Sequence, residues 1–213
     1  MNRLSFVYRP RQARLRIAGT AFSLAMLAGC ASIAPPSHLR SPVLTATQRE
    51  QVLAGLRDWS AGGEASLVSP SGSQAFSFRW IQTSGHEKIS IYGPLGHTVA
   101  RLSYDGHHAI LVTASRPPQE ARDPGILLRR ILGVSLPVRV FPNWMLGLRG
   151  SSETVKKDAH GLPLRLQSGA WDVAYLNYGQ VGGLKMPRLL EASGPGGLRL
   201  RLAITHWRLG GGS

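Results

Sequence analysis

The run Leu198-Arg199-Leu200-Arg201-Leu202-Ala203-Ile204 constrains the fold most, because apolar residues recur at every second position. A strand places successive side chains on opposite faces, so this run has one apolar face and one largely basic face. The same period recurs upstream. Phe76, Phe78 and Trp80 alternate with Ser77 and Arg79, and Ile89 and Ile91 alternate with Lys88, Ser90 and Tyr92. Val99 and Leu102 alternate less cleanly with Arg101 and Ser103. Asp105-Gly106 is a strong hairpin signal before an apolar strand over 109–113. Further strands are predicted over 153–157, 162–167, 171–178 and 188–192. Short strands at this spacing favour an antiparallel meander over βαβ units.

Helices interrupt the strands. Thr47-Gln48-Arg49-Glu50 has a capping-box pattern, and Val52, Leu53, Leu56 and Trp59 follow at helical spacing, predicting a helix over 47–59 with a core-facing stripe. Asp123 can cap a second helix, Pro124 suits its first position and Gly133 stops it. The basic pair Arg129-Arg130 near its end suits the helix dipole. Leu136-Pro137 breaks the chain, and a third helix is expected over 142–146, stopped by Gly147. A sheet this long must curl or split into two layers. If it curls, Phe76, Phe78, Trp80, Ile89 and Ile91 line a cup that helices can cover. A filled core fits the same pattern, and alternation alone does not separate the two.

The N-terminus carries a different message. Arg3, Arg9, Arg11, Arg14 and Arg16 lead into an apolar stretch of about 12 residues ending at Ala28. This is the build of a secretory signal peptide, too short for a permanent bilayer span. The only cysteine, Cys30, closes Leu27-Ala28-Gly29-Cys30, which is similar to a bacterial lipobox whose cysteine becomes an acylated N-terminus. The expected organisation is a signal over 1–29, an acylated start and Pro/Ser-rich tether over 30–46, a domain over 47–207 and a flexible tail over 208–213. Ala31-Ser32, with no Asp after the cysteine, points by resemblance to the outer rather than the inner membrane. Of 25 basic and 11 acidic side chains, five basic ones lie within the signal, leaving an excess of nine positive charges. Export argues against nucleic acid as the partner of that charge.

Reactive chemistry is not evident. There is no G-x-S-x-G elbow, no carboxylate pair and no histidine set at ligand spacing. His107-His108 on one strand would point to opposite faces. No enzyme activity, cofactor or metal is expected. One turn is odd. In Tyr92-Gly93-Pro94-Leu95-Gly96-His97 a leucine stands where small or polar residues are usual. Leu95 either folds back onto the sheet edge or projects as an apolar finger, which would suit a membrane or a lipid.

Several segments together resemble the LolB family, outer-membrane lipoproteins that receive other lipoproteins from a LolA-type periplasmic carrier. They are Trp59 with Gly62, Phe78-Arg79-Trp80-Ile81-Gln82, Gly93-Pro94-Leu95-Gly96, Ile131-Leu132-Gly133 with Leu136-Pro137, Trp144-Met145-Leu146-Gly147, Trp171 with Tyr175 and Tyr178, Met186-Pro187, and the closing run from Leu200 to Trp207. The likeness covers roughly residues 48–207. It implies a mainly β fold: an unclosed antiparallel barrel with a lid of short α-helices around an apolar cavity for acyl chains. Candidate cavity residues are Phe76, Phe78, Trp80, Ile89, Ile91 and Trp144. Pro94, Leu95 and Gly96 correspond to a loop whose leucine inserts cargo into the membrane. The implied protein is a monomer anchored through Cys30 on the periplasmic face of the outer membrane, with carrier, acylated cargo and outer-membrane lipids as partners. Transfer would run downhill without an energy source. Arg129, Arg130, Arg199 and Arg201 could attract an acidic carrier surface. The alternative is an anchored protein whose apolar cup binds another lipid or glycolipid.

Overall fold

The computed structural model describes residues 44–210. Cys30, the signal and most of the tether lie outside these residues. Eleven strands form one antiparallel sheet in the order β6-β5-β4-β3-β2-β1-β11-β10-β9-β8-β7. They are β1 (Trp59–Ser69), β2 (Gly72–Thr83), β3 (His86–Tyr92), β4 (Thr98–Tyr104), β5 (Ala109–Thr113), β6 (Arg116–Ala121), β7 (Thr154–Lys157), β8 (Pro163–Ser168), β9 (Trp171–Val181), β10 (Leu184–Ser193) and β11 (Arg199–Leu209). The sheet does not close. Its edges are β6 and β7, and both carry features that discourage further pairing: Pro117-Pro118 on one, Lys156-Lys157 on the other.

The chain between those two edges, residues 122–153, is the lid. It contains α2 (Pro124–Leu132), a short turn over Val138–Val140 and α3 (Phe141–Leu146). α2 packs on β4, β5 and β6, and α3 on β10. α2 follows its sequence signals closely. Asp123 Oδ1 accepts from the Gly125 N–H at 2.8 Å, Pro124 takes the first turn, and Gly133 caps the end at φ 74°. Its buried face is Leu127, Leu128 and Leu132.

The first helix, α1 (Ala46–Ala54), starts earlier and ends sooner than expected. The box is made by Thr45 with Gln48, and Gly55 terminates the helix, so Thr45 and Ala46 belong to the domain rather than to the tether. Trp59 then belongs to β1, where its ring packs 5.6 Å from Trp207. Val52 is exposed, and the buried positions of α1 are Arg49 and Leu53. Among the strands outside the expected set is β6, where Pro117-Pro118 reads as a break. β9 and β10 run longer than expected and meet at Gly182-Gly183, both at positive φ. The last strand reaches Leu209, with Arg208 opposite Ser60 and Leu209 opposite Trp59, so residues 208 and 209 are not tail.

Alternation puts Phe78, Trp80, Ile89, Ile91, Leu102, Leu200, Leu202 and Ile204 on the inner, lid-covered face. At Gly62/Gly63 the β1–β11 register shifts by a bulge. Only glycine fits at position 63, because a Cβ there would stand 1.9 Å from the Ala203 carbonyl oxygen.

Candidate functional site: a lidded apolar interior and an exposed leucine

The inner face of the sheet and the lid frame a small, partly open cavity of about 40 Å³. The sheet contributes Phe76, Phe78, Trp80, Ile89, Ile91, Leu200 and Leu202; the lid contributes Leu128, Leu132, Leu136, Phe141 and Met145. Five of the six residues singled out from sequence therefore meet here. Trp144 does not. Its ring fills the space between Phe141 and Trp171, at 5.2 and 5.9 Å, and its N–H donates to Glu153 Oε1 at 3.3 Å. At this volume the space is too small to take a whole acyl chain. The atoms that face this space are all apolar. The Trp80 indole N–H is buried with no acceptor among the described residues. An unpaired buried donor costs about 1–3 kcal/mol.

The two lid helices are held differently. The end of α3 is clamped by polar ties that sequence patterns do not reveal. The Tyr175 hydroxyl donates to the Trp144 carbonyl at 3.0 Å, and Arg49 Nη2 donates to the Leu146 carbonyl at 2.8 Å. Arg49 also donates through Nε to the Lys185 carbonyl and lies over the Tyr178 ring. Burial pulls the Arg49 pKa down, opposed chiefly by Tyr178. Glu153 is buried and accepts from the Gly150 N–H at 2.6 Å as well as from Trp144. By contrast, α2 is held by apolar contact and two side-chain bonds: Gln74 Nε2 to the Leu132 carbonyl at 2.8 Å, and Arg130 Nη1 to Gln119 Oε1 at 2.6 Å. Between the helices, Arg139 lies 5.9 Å over the Tyr104 ring. Burial pushes the neighbouring Glu87 carboxyl up to about 7, partly opposed by Arg139.

Leu95 is the second feature. It is fully solvent-exposed, at 105%, on the β3–β4 turn. It sits at φ 66°, ψ 13°, the left-handed region, and it is the non-glycine residue at positive φ among those described. Such a conformation costs a β-carbon residue about 1–2 kcal/mol. The turn around it is firm. The Gly93 N–H donates to the His97 carbonyl at 3.0 Å, and His97 Nδ1 lies 2.7 Å from the Pro94 carbonyl oxygen. The His97 ring covers Gly93, where a Cβ would stand 2.6 Å from it. Leu95 thus does not fold back onto the sheet edge.

The four arginines considered as one steering set fall on two surfaces. Arg129 and Arg130 are exposed at the end of α2. Arg199 and Arg201 point outward from β11, on the face away from the lid, where Arg199 approaches Glu191 at 3.9 Å. Among the described residues no three His, Cys, Asp or Glu side chains gather to hold a metal, and His108 pairs instead with Glu120 at 3.2 Å.

Comparison with known proteins places this geometry. Two solved structures share the fold at low sequence identity. A LolA superfamily protein from Nitrosomonas europaea aligns with a TM-score of 0.51 and 12% identity over 80% of this chain and 96% of its own. A DUF1329 family protein from Desulfovibrio piger gives 0.54 and 10% over 79% and 91%. Sequence relatives are closer. The outer-membrane lipoprotein LolB of Nitrosococcus oceani is 33% identical over 191 residues, 88% of this chain and 94% of that protein. That of Alkalilimnicola ehrlichii is 30% identical over 202 residues, 93% and 98%. The family described as outer membrane lipoprotein LolB matches residues 57–207. The chain belongs to the LolB family of outer-membrane lipoproteins.

Proposed function

We propose that this protein accepts acylated lipoproteins from a LolA-type carrier and delivers them into the outer membrane, held there by lipid on Cys30. The observation that carries the reading is Leu95: an exposed leucine in a strained turn, beside an interior that is apolar and covered. Burying a leucine is worth about 1.5–3 kcal/mol, so a fully exposed one needs another use.

The energetics suit transfer without an energy source. A cargo chain of roughly 16 carbons gains on the order of 10 kcal/mol on leaving water. Five lid residues line the cavity, and uncovering them costs about the same in sum. Exchange of lid side chains for acyl chain is therefore near balance, and a bilayer, which restores both, draws the chain onward. The uneven anchoring of the lid favours α2 as the part that lifts, with α3 as its fixed base.

The test is transfer between purified proteins. A radiolabelled lipoprotein is presented on its carrier, first to the lipidated protein and then with liposomes added. Movement to this protein and onward into liposomes without nucleotide is expected. Failure to take cargo, or co-purification of a glycolipid in its place, overturns the reading.

A further inference from the structure

Leu95 belongs to a whole end of the sheet that differs in chemistry from the other end. Every neighbouring strand pair is antiparallel, so the connections sort cleanly. The Leu95 end collects five: Pro70-Ser71, residues 93–97, Ala114-Ser115, Gly169-Ala170 and residues 194–198. None contains Asp, Glu, Lys or Arg, and His97 is their one ionisable side chain. The opposite end carries Asp105, His107 and His108 between β4 and β5, Asp158 and His160 between β7 and β8, and Asp58 before β1.

Turn geometry does not force this partition. At the charged end Asp105 Oδ1 accepts from the His107 and His108 N–H groups, and Asp158 Oδ1 from those of His160 and Leu162. Such turns are the ordinary solution in water. The Leu95 end uses glycine, proline, serine and alanine around Leu95, His97 and Leu198 instead, a make-up shared at the other end by Ser84-Gly85 and Gly182-Gly183. Among the charges flanking these connections, Arg116 opens β6 and Arg199 opens β11, both exposed, while Asp172, one residue into β9 and level with Arg199, is paired with Arg165 at 2.8 Å. The loop leading into β7 at this end adds Arg149, and its one acid, Glu153, is buried.

We infer that the entire end, and not Leu95 alone, is a docking face for a phospholipid surface. The inference rests on the reading that Leu95 enters the bilayer. Acid-free connections bring no unpaired carboxylate against phosphate headgroups, Asp172 being held by Arg165, and the rim arginines meet them with opposite charge. Leu95 is the deepest point, and Ser71, Ala170 and Gly196 lie against the headgroups. The strands stand on the membrane by their ends. Tether length permits this. α1 leads into β1 at the charged end, so an anchor at Cys30 must reach past the sheet. Residues 31–44 can span at most about 50 Å, and β1 at 11 residues is about 37 Å tall.

The experiment uses the lipidated full chain with vesicles of phosphatidylethanolamine and phosphatidylglycerol. An environment-sensitive fluorophore is placed on single cysteines by Ser71→Cys, Leu95→Cys, Ala170→Cys and Ala159→Cys. Blue shifts and quenching by headgroup-labelled lipid are expected at 71, 95 and 170, and not at 159. A shift at 95 with 71 and 170 behaving like 159 overturns the docking face while leaving the finger. No shift at 95 removes the underlying reading as well. As a second measurement on the anchored chain, Ala170→Glu should lower the docked fraction, read as headgroup quenching at position 95, about fivefold, and Ala159→Glu should leave it unchanged. Equal effects of the two would also overturn the face.

Discussion

The turns at 93–97 and 194–198 are the same device with one side chain changed. Both join neighbouring strands at the same end of the sheet. In each the first glycine's N–H closes the loop, onto His97 O at 3.0 Å and Leu198 O at 2.9 Å. In each a proline follows and the third residue is left-handed: Leu95 at φ 66°, Gly196 at φ 67°. In each a ring lies over the first glycine, His97 over Gly93 and Trp171 over Gly194. Gly-Pro-Gly-Gly is the relaxed version and Gly-Pro-Leu-Gly the strained one. The molecule therefore contains its own control for what the leucine costs. The strain is local and avoidable, which is how a functional residue differs from a packing residue.

The largest effect should come from abolishing the difference in polarity. Leu95→Glu places a carboxylate where the membrane is met. Uptake of cargo from the carrier should be unchanged, and delivery into liposomes should fall at least tenfold, since a charge costs well over 1.4 kcal/mol in an apolar phase. Single-turnover transfer measured in the two stages separates them. Equal loss of both stages would make Leu95 a structural residue and the comparison empty.

The same pair of turns shows how much a sequence discloses. The Leu95 anomaly is legible because turn tips have a strong compositional rule. Its twin is not, because a glycine-rich run over 194–197 matches any loop; only the shared φ values reveal the equivalence. α2 is legible to the residue through Asp123, Pro124 and Gly133, each acting within one turn of chain. The inner face is legible from the alternation of Phe76, Phe78 and Trp80. What alternation cannot encode is whether Leu128, Leu132 and Met145, distant in sequence, fill the cup or leave it open. Arg49 was hidden for a related reason. A cation in a helix normally faces water, and its burial depends on the Lys185 and Leu146 carbonyls, which no local pattern displays. Trp144 is a cavity candidate by resemblance, but Glu153 draws its N–H elsewhere.

A smaller effect tests strain directly. Leu95→Gly makes the two turns alike. Relief of left-handed strain, about 1–2 kcal/mol, exceeds the added flexibility of the unfolded chain, about 0.5–1 kcal/mol. The variant should be more stable by about 0.5–1 kcal/mol, a rise in Tm of about 2 °C for a chain of this size. Delivery should nevertheless be lost. A thermal melt showing no gain would mean that the turn holds Leu95 without cost.

The converse substitution has the smallest effect and the sharpest logic. Gly196→Leu installs a finger in the relaxed turn. A Cβ there meets nothing within 4 Å, so the cost is conformational alone. Stability should fall by about 0.5–1 kcal/mol, mirroring the gain at position 95. In the Leu95→Gly background, the same change separates side chain from place. The second turn lies at the same end and presents its third residue in the same geometry. If the bilayer is met by the whole end, moving the leucine should recover part of the lost delivery. If delivery stays at the level of Leu95→Gly alone, insertion depends on where Leu95 stands relative to the mouth of the cavity, and the likeness of the two turns ends at their backbones.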